Sequence, residues 1–240
     1  MKIEKTVTLL KTGETFESLK STEGCYEQWF DRVFEGKISW NHVNAPYGDA
    51  LPDPDTVEAL LISGSPVSIY ERLAWSVACS EWIAKVWEKN IPILGVCYGH
   101  QLLADALGGE VKASSNGREM GAISVSQCGQ DPLFTGLGQD FEVWQTHIDE
   151  VSRMPDQAKL IATNDHSKVQ AMSIGEHCRS IQWHPEMNRA ILNHYIIERQ
   201  AVIDAAWGDG AASTLSSSLP SHLDSGSIIA RNFMDLWLKN

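Results

Sequence analysis

The sequence predicts an α/β fold with a mostly parallel sheet flanked by helices, and three observations carry that reading. Short apolar runs alternate with helical patterns through the first half, as in βαβ units. One of those runs ends in a cysteine held between two glycines, at the junction of a strand and a helix. The composition is that of a globular chain: of 240 residues, 43% are hydrophobic and 21% charged, enough to bury a full core without disulfides or metal.

Taken in order, residues 6–12, "TVTLLKT", read as a first strand. Residues 57–63, "VEALLIS", read as a buried strand ending in the turn Gly64-Ser65-Pro66. From Glu71 onward Trp75, Ala78, Cys79, Trp82, Ile83 and Val86 recur at three- and four-residue steps, the mark of one buried helix face, until Asn90-Ile91-Pro92 stops it. "IPILGV" is another short strand, and Leu102, Leu103, Ala106 and Leu107, closed by Gly108-Gly109, form a helix with a glycine stop. "GAISVSQ", "FEVWQTH", "KLIAT", "VQAMSI" and "CRSIQWH" extend the sheet, in part antiparallel. Beyond Pro185 residues 190–206 read as helical, "GDGAASTLSSSLP" as a linker and "SGSIIARNFMDLWLK" as a terminal helix with a serine near its start. The expected organisation is one catalytic domain over residues 1–208, with residues 209–240 as a linker and a C-terminal helix packed on it.

The formal charge of −12, with no Lys/Arg block, lacks the footprint that nucleic acid or an anionic membrane surface requires. No run approaches the roughly 20 apolar residues of a membrane span, and the N-terminus lacks a signal-peptide pattern, so a cytoplasmic protein is expected. Five scattered cysteines without a C-x-x-C pair argue against a disulfide framework and a zinc site, leaving reduced thiols.

One of those thiols lies in "GVCYGHQ". G-x-C-x-G at a strand-to-helix turn is a cysteine version of the nucleophile elbow, which would place Cys97 near a helix N-terminus that favours thiolate. The backbone N–H of Tyr98 would face the same space and could hold an oxyanion. The competing reading is a small buried apolar cysteine. A thiolate attacking an amide also needs a proton donor for the leaving amine. Of eight histidines, His184 in "QWHPE" has an orienting carboxylate at hand, Glu186, with Pro185 fixing the backbone between them. Here the competing reading is a strand-end histidine and a solvated glutamate. "ISGSP" ends a neighbouring buried strand and should open on the same sheet edge as Cys97, or is only a tight turn.

Together "GVCYGHQ" and "QWHPE" resemble the class I glutamine amidotransferases, over the chain from its first strand to about Glu186. The resemblance implies a doubly wound, flavodoxin-like fold with a small antiparallel portion, and a catalytic triad of Cys97, His184 and Glu186. It implies oxyanion N–H groups from Ser65 and Tyr98, and a substrate pocket that includes Gly64 and Gln101. "THIDEV" is similar to the segment that holds the amino-acid end of glutamine, which places His147 and Asp149 in the pocket, Asp149 suited to an α-ammonium. His147 is a rival base on chemistry alone.

The implied activity is release of ammonia from glutamine through a γ-glutamyl thioester, with no metal or organic cofactor. The partners implied are a small-molecule substrate, glutamine or another γ-glutamyl compound, and a separate synthase chain that accepts the ammonia. The chain carries no P-loop and no dinucleotide fingerprint with which to activate an acceptor itself. "ISGSP" and the short tail look more like stand-alone relatives of the GMP synthase glutaminase domain, among them γ-glutamyl peptidases, so a peptidase is the alternative. A non-catalytic, glutaminase-like subunit is the third reading, motivated by nine tryptophans that could serve an interface, although Trp75, Trp82 and Trp183 fall on core-facing positions.

Overall fold

The structure is a computed structural model and describes residues 5–238. Along the chain run β1 (Thr6–Lys11), α1 (Glu17–Glu23), α2 (Tyr26–Val33), β2 (Ser39–Asn44), β3 (Ala59–Ile62), α3 (Ala74–Trp87), β4 (Ile93–Val96) and α4 (Tyr98–Ala106). There follow β5 (Glu110–Ala113), β6 (Glu119–Gln127), β7 (Asp140–His147), β8 (Asp149–Arg153), β9 (Ala158–Thr163), β10 (Ala171–Ile174) and β11 (Cys178–Ile181). The chain closes with α5 (Arg189–Glu198), α6 (Gln200–Trp207), α7 (Ala211–Ser218) and α8 (Ser225–Phe233).

Nine strands form one sheet in the order β2-β1-β3-β4-β11-β10-β9-β6-β7, and β5 pairs with β8 apart from it. The five strands from β2 to β11 are mutually parallel. The remaining joints, from β11 through β10, β9 and β6 to β7, are antiparallel. The antiparallel portion is therefore a continuation of the main sheet as well as a small ribbon beside it.

Helices cover both faces, so β3, β4, β10 and β11 are buried along their whole lengths, and β3 and β4 read as continuous apolar runs rather than alternating ones. Alternate residues still part ways. Ala59 and Leu61 face a layer built from Trp29, Phe30, Ile191 and Phe233, while Leu60 and Ile62 face Trp82, Ile83, Leu102 and Leu103. Among the described residues no helix is long and apolar enough to cross a membrane.

Four segments depart from the sequence expectation. Residues 13–56 hold α1, α2 and the edge strand β2, whose polar "SWNHVN" keeps only Val43 buried and so carries no apolar signal. Helix α3 buries Ser76 and Ser80 while Ala78 is exposed and Trp75 half-buried, because the two serines hydrogen-bond Tyr98 Oη and Asp105 on α4. The helix expected over 190–206 breaks at Arg199 (φ −107°, ψ 12°) into α5 and α6. Residues 211–218, within the expected linker, form α7, tied down by Ala212 N–H to Asp204 Oδ1 and by Ser216 to Asn193. The terminal helix is present as α8, with a π-helical turn at Met234–Leu238; Lys239 lies outside the described residues.

Candidate active site

Strands β3, β4 and β11 are parallel neighbours, so the segments leaving their carboxyl ends meet at one edge of the sheet. The segment after β4 is the tightest of the three. Cys97 has φ 53° and ψ −104°, a left-handed backbone that L residues other than glycine seldom adopt. It is held there by Cys97 N–H to Ile181 O at 2.9 Å and Gly99 N–H to Ser63 O at 3.1 Å. The flanking glycines are sterically required: a Cβ on Gly95 would lie 2.6 Å from Gly99 O, and one on Gly99 would overlap the Ile62 carbonyl. Cys97 caps the first turn of α4, where backbone N–H groups have no intrahelical partner, and these contacts hold its strained backbone in place.

The segment after β11 delivers His184. Trp183, fully buried against Phe134 and Phe141, anchors it, and His184 N–H donates to Trp144 O at 2.9 Å. His184 Nδ1 lies 2.7 Å from Glu186 Oε1, which leaves Nε2 outside that pair, with the ring within electrostatic reach of the Cys97 sulfur. Burial would lower the His184 pKa, but the Glu186 carboxylate and the Cys97 sulfur outweigh it and hold the imidazolium well above its ordinary range. The turn after β3 closes the group, because a Cβ on Gly64 would lie 3.0 Å from His184 Cε1 and 3.7 Å from Cys97 Cβ. By contrast burial pushes the Cys79 and Cys178 thiols up to about 12, as expected of inert filling.

Two spaces meet at Cys97. One is an open cleft lined by Ser65, Tyr70, Gln101, Arg118, His147 and Asp149. Tyr70 Oη donates to Asp149 Oδ1 at 2.9 Å, which aims the carboxylate. Arg118 makes no ion pair or hydrogen bond within the described residues, and its guanidinium stands within electrostatic reach of Asp149 and Cys97. The second space is smaller and walled by Tyr26, Thr146, His184, Met187 and Tyr195.

The residues expected from sequence are thus brought together: Cys97, His184, Glu186, Gly64, Ser65, Tyr98, Gln101, His147 and Asp149 share one edge. Tyr98 turns its side chain away from the edge, its hydroxyl bonding Ser76 at 2.6 Å inside the core. His147 is no rival base: Nδ1 is taken by Asp149 O at 3.0 Å and Nε2 by Glu119 Oε2 at 2.9 Å. Gln101 lines the cleft but directs its Nε2 to Asp149 O and Gln182 Oε1. Sequence reasoning missed Tyr70, Arg118, Glu119 and Gln182; of these, Arg118 and Glu119 lie in a "GREMG" stretch whose charges flank a strand start, the one local signal available.

Comparison with known proteins matches residues 30–203 to the family model described as glutamine amidotransferase class-I. This chain belongs to that family. Among its relatives, γ-glutamyl peptidase 3 of Arabidopsis thaliana is 30% identical over 220 residues, covering 86% of this chain and 88% of the relative. A separate subunit of the glutamine-hydrolysing GMP synthase from Methanothermobacter thermautotrophicus is 37% identical over 142 residues, 59% of this chain and 72% of the relative. Against a longer GMP synthase, from Aeropyrum pernix, the match spans only 28% of the relative. A solved glutamine amidotransferase from Thermotoga maritima superposes with a TM-score of 0.79 at 20% identity, covering 99% of this chain and 100% of that one, which establishes the shared fold.

Proposed function

We propose that this class I amidotransferase hydrolyses the γ-glutamyl amide of glutamine with Cys97 as nucleophile. The observation that carries the reading is the left-handed Cys97 beside a histidine whose far nitrogen is held by a buried glutamate. The Cys97 thiolate attacks the γ-carbonyl carbon. The oxyanion that forms is met by the backbone N–H groups of Ser65 and Tyr98. The C–N bond breaks as His184 protonates the leaving nitrogen, and glutamate's γ-carbon remains on sulfur as a thioester. Water, deprotonated by His184, then attacks that carbon; the C–S bond breaks and glutamate leaves. Glu186 keeps the ring oriented and supports its positive charge throughout.

The amino-acid end of the substrate fits the open cleft, where Asp149 would pair with the α-ammonium and Arg118 with the α-carboxylate. Ammonia produced in this way serves a separate synthase chain, a role suggested by the GMP synthase relative from Methanothermobacter. A second reading, γ-glutamyl peptidase, is favoured by the Arabidopsis relative, which matches nearly end to end. Against it stands the small space on the His184 side of Cys97, walled by Tyr26, Met187 and Tyr195, which suits a leaving group the size of ammonia better than a peptide.

The variant Cys97→Ala tests the whole scheme: turnover of glutamine and γ-glutamyl peptides should vanish with the melting temperature nearly unchanged, and undiminished turnover would reject it. Comparing ammonia release from glutamine with cleavage of glutathione-like substrates by the native protein decides between the two readings.

A further inference from the structure

Gln182 follows β11 and is fully buried, though the reaction scheme gives it no task. Its backbone N–H donates to Gln170 O at 2.8 Å, and its side-chain Nε2 lies 3.7 Å from Cys97 Sγ, in range for a donor to sulfur. Its Oε1 accepts from Gln101 Nε2 at 3.1 Å, and the same Gln101 nitrogen donates to the backbone carbonyl of Asp149 at 3.0 Å.

The direction of this chain of bonds is forced from its far end. A carbonyl oxygen only accepts, so Gln101 must turn its NH2 group toward Asp149. That group also meets Gln182, so Gln182 must present its oxygen there. Its own NH2 group is then the end left for sulfur. A buried thiolate accepts such a bond readily, because a hydrogen bond to the charged form favours it.

We propose that Gln182 is a catalytic residue that donates an N–H to the Cys97 thiolate, and that Gln101 is a positioning residue that fixes which end of the Gln182 amide faces sulfur. The assignment rests on Cys97 being the nucleophile. It also links the start of β8 at Asp149, where the substrate's ammonium would bind, to the attacking atom through two side chains.

Alkylation by iodoacetamide, followed site by site with peptide mass mapping across pH, reads thiolate content without substrate. Gln182→Met should slow Cys97 alkylation about tenfold at neutral pH and move the midpoint of its profile up by about one unit. Cys128, which is exposed and lines neither space at Cys97, provides the unchanged internal reference. Gln182→Asn, which keeps a buried amide but withdraws it from sulfur, should shift the midpoint the same way with a smaller loss of thermal stability. Gln101→Met should slow the reaction about threefold, and the double variant Gln101→Met/Gln182→Met should be no slower than Gln182→Met, since one residue acts through the other.

Profiles of both Gln182 variants that superimpose on the native one would overturn the proposal, and multiplying effects in the double variant would overturn the role of Gln101. Failure of the underlying reading looks different. There, Cys97→Ala would keep its hydrolytic activity whatever the alkylation profile.

Discussion

Two histidine–glutamate pairs lie at the same sheet edge, both buried: His184 with Glu186 at 2.7 Å and His147 with Glu119 at 2.9 Å. By residue type they are interchangeable. They differ in what occupies the other ring nitrogen. In His184 that nitrogen is left for the Cys97 thiol, whereas in His147 it is bound to the Asp149 carbonyl. Their carboxylates differ too. Glu119 accepts from His147, Gln170 and Asn164, while Glu186 Oε2 is buried without a partner among the described residues, so its charge is directed at the one ring it touches. A buried His–carboxylate pair thus makes a proton shuttle only when one nitrogen is left for the reaction; with both taken it is a brace.

The strongest attempt to break this contrast replaces the two rings. His184→Ala should lower kcat by at least about 10³-fold, as loss of a general acid and base does. His147→Ala should leave kcat within about threefold and raise KM about tenfold, because it disturbs the Asp149 wall and the Glu119 brace but no reacting atom. Equal losses of kcat in steady-state assays would erase the distinction.

Exchanging the carboxylate of the reactive pair comes next. Glu186→Gln leaves the burial that lowers the His184 pKa opposed only by the Cys97 sulfur, because it removes the carboxylate charge that raises it. The variant should therefore lose about 10²-fold in kcat, and the alkaline limb of its pH–rate profile should move to lower pH, because the imidazolium now gives up its proton sooner.

In the brace the consequence falls on stability. Burial works to raise the Glu119 pKa, but the hydrogen bond from His147, the His147 and His166 rings beside it and the Asn164 amide prevail and hold it below the ordinary value of 4.5. A carboxyl depressed in the folded state stabilises fully above its unfolded pKa and loses that contribution as pH falls through the folded one. Glu119→Gln turns a donor toward donors and should cost about 1–3 kcal/mol at neutral pH, lowering the melting temperature by several degrees. It should also flatten the acid side of the native stability profile. The smallest effect is expected at Gly226 on α8, where a Cβ would overlap the Pro185 carbonyl oxygen. Gly226→Ala should displace the His184–Glu186 loop and lower kcat a few fold, measured alongside the melting curve.

Much of the reactive pair was legible because its chemistry is written in contiguous residues. "GVCYGHQ" encodes the strained turn, its glycines and the helix start together, and "QWHPE" puts the proposed base and its orienter two residues apart. The brace was not legible. Glu119, His147, Asn164 and Gln170 come from separate segments and meet only in space, so His147 in isolation carried the same signal as a base. Tyr70 and Arg118 were hidden for the same reason. In the fold, β3 and β4 announce themselves through apolar runs buried on both faces. The edge strand β2 and the serine- and alanine-rich α7 are held by pairing and a few side-chain bonds that no local periodicity reports.

The approach of Gly226 to Pro185 has a consequence in time as well as in space. A nascent chain that has reached residue 186 already contains Cys97, His184 and Glu186. The helix against which the His184–Glu186 loop rests is still unmade, and its Ser225 has yet to clasp Glu142 O at 2.7 Å. Synthesis proceeds in chain order, so the helix that backs this loop leaves the ribosome after both of the segments it serves. The proposed reagent is therefore made first, and the helix that backs its proposed base, touching no reacting atom itself, is made after both.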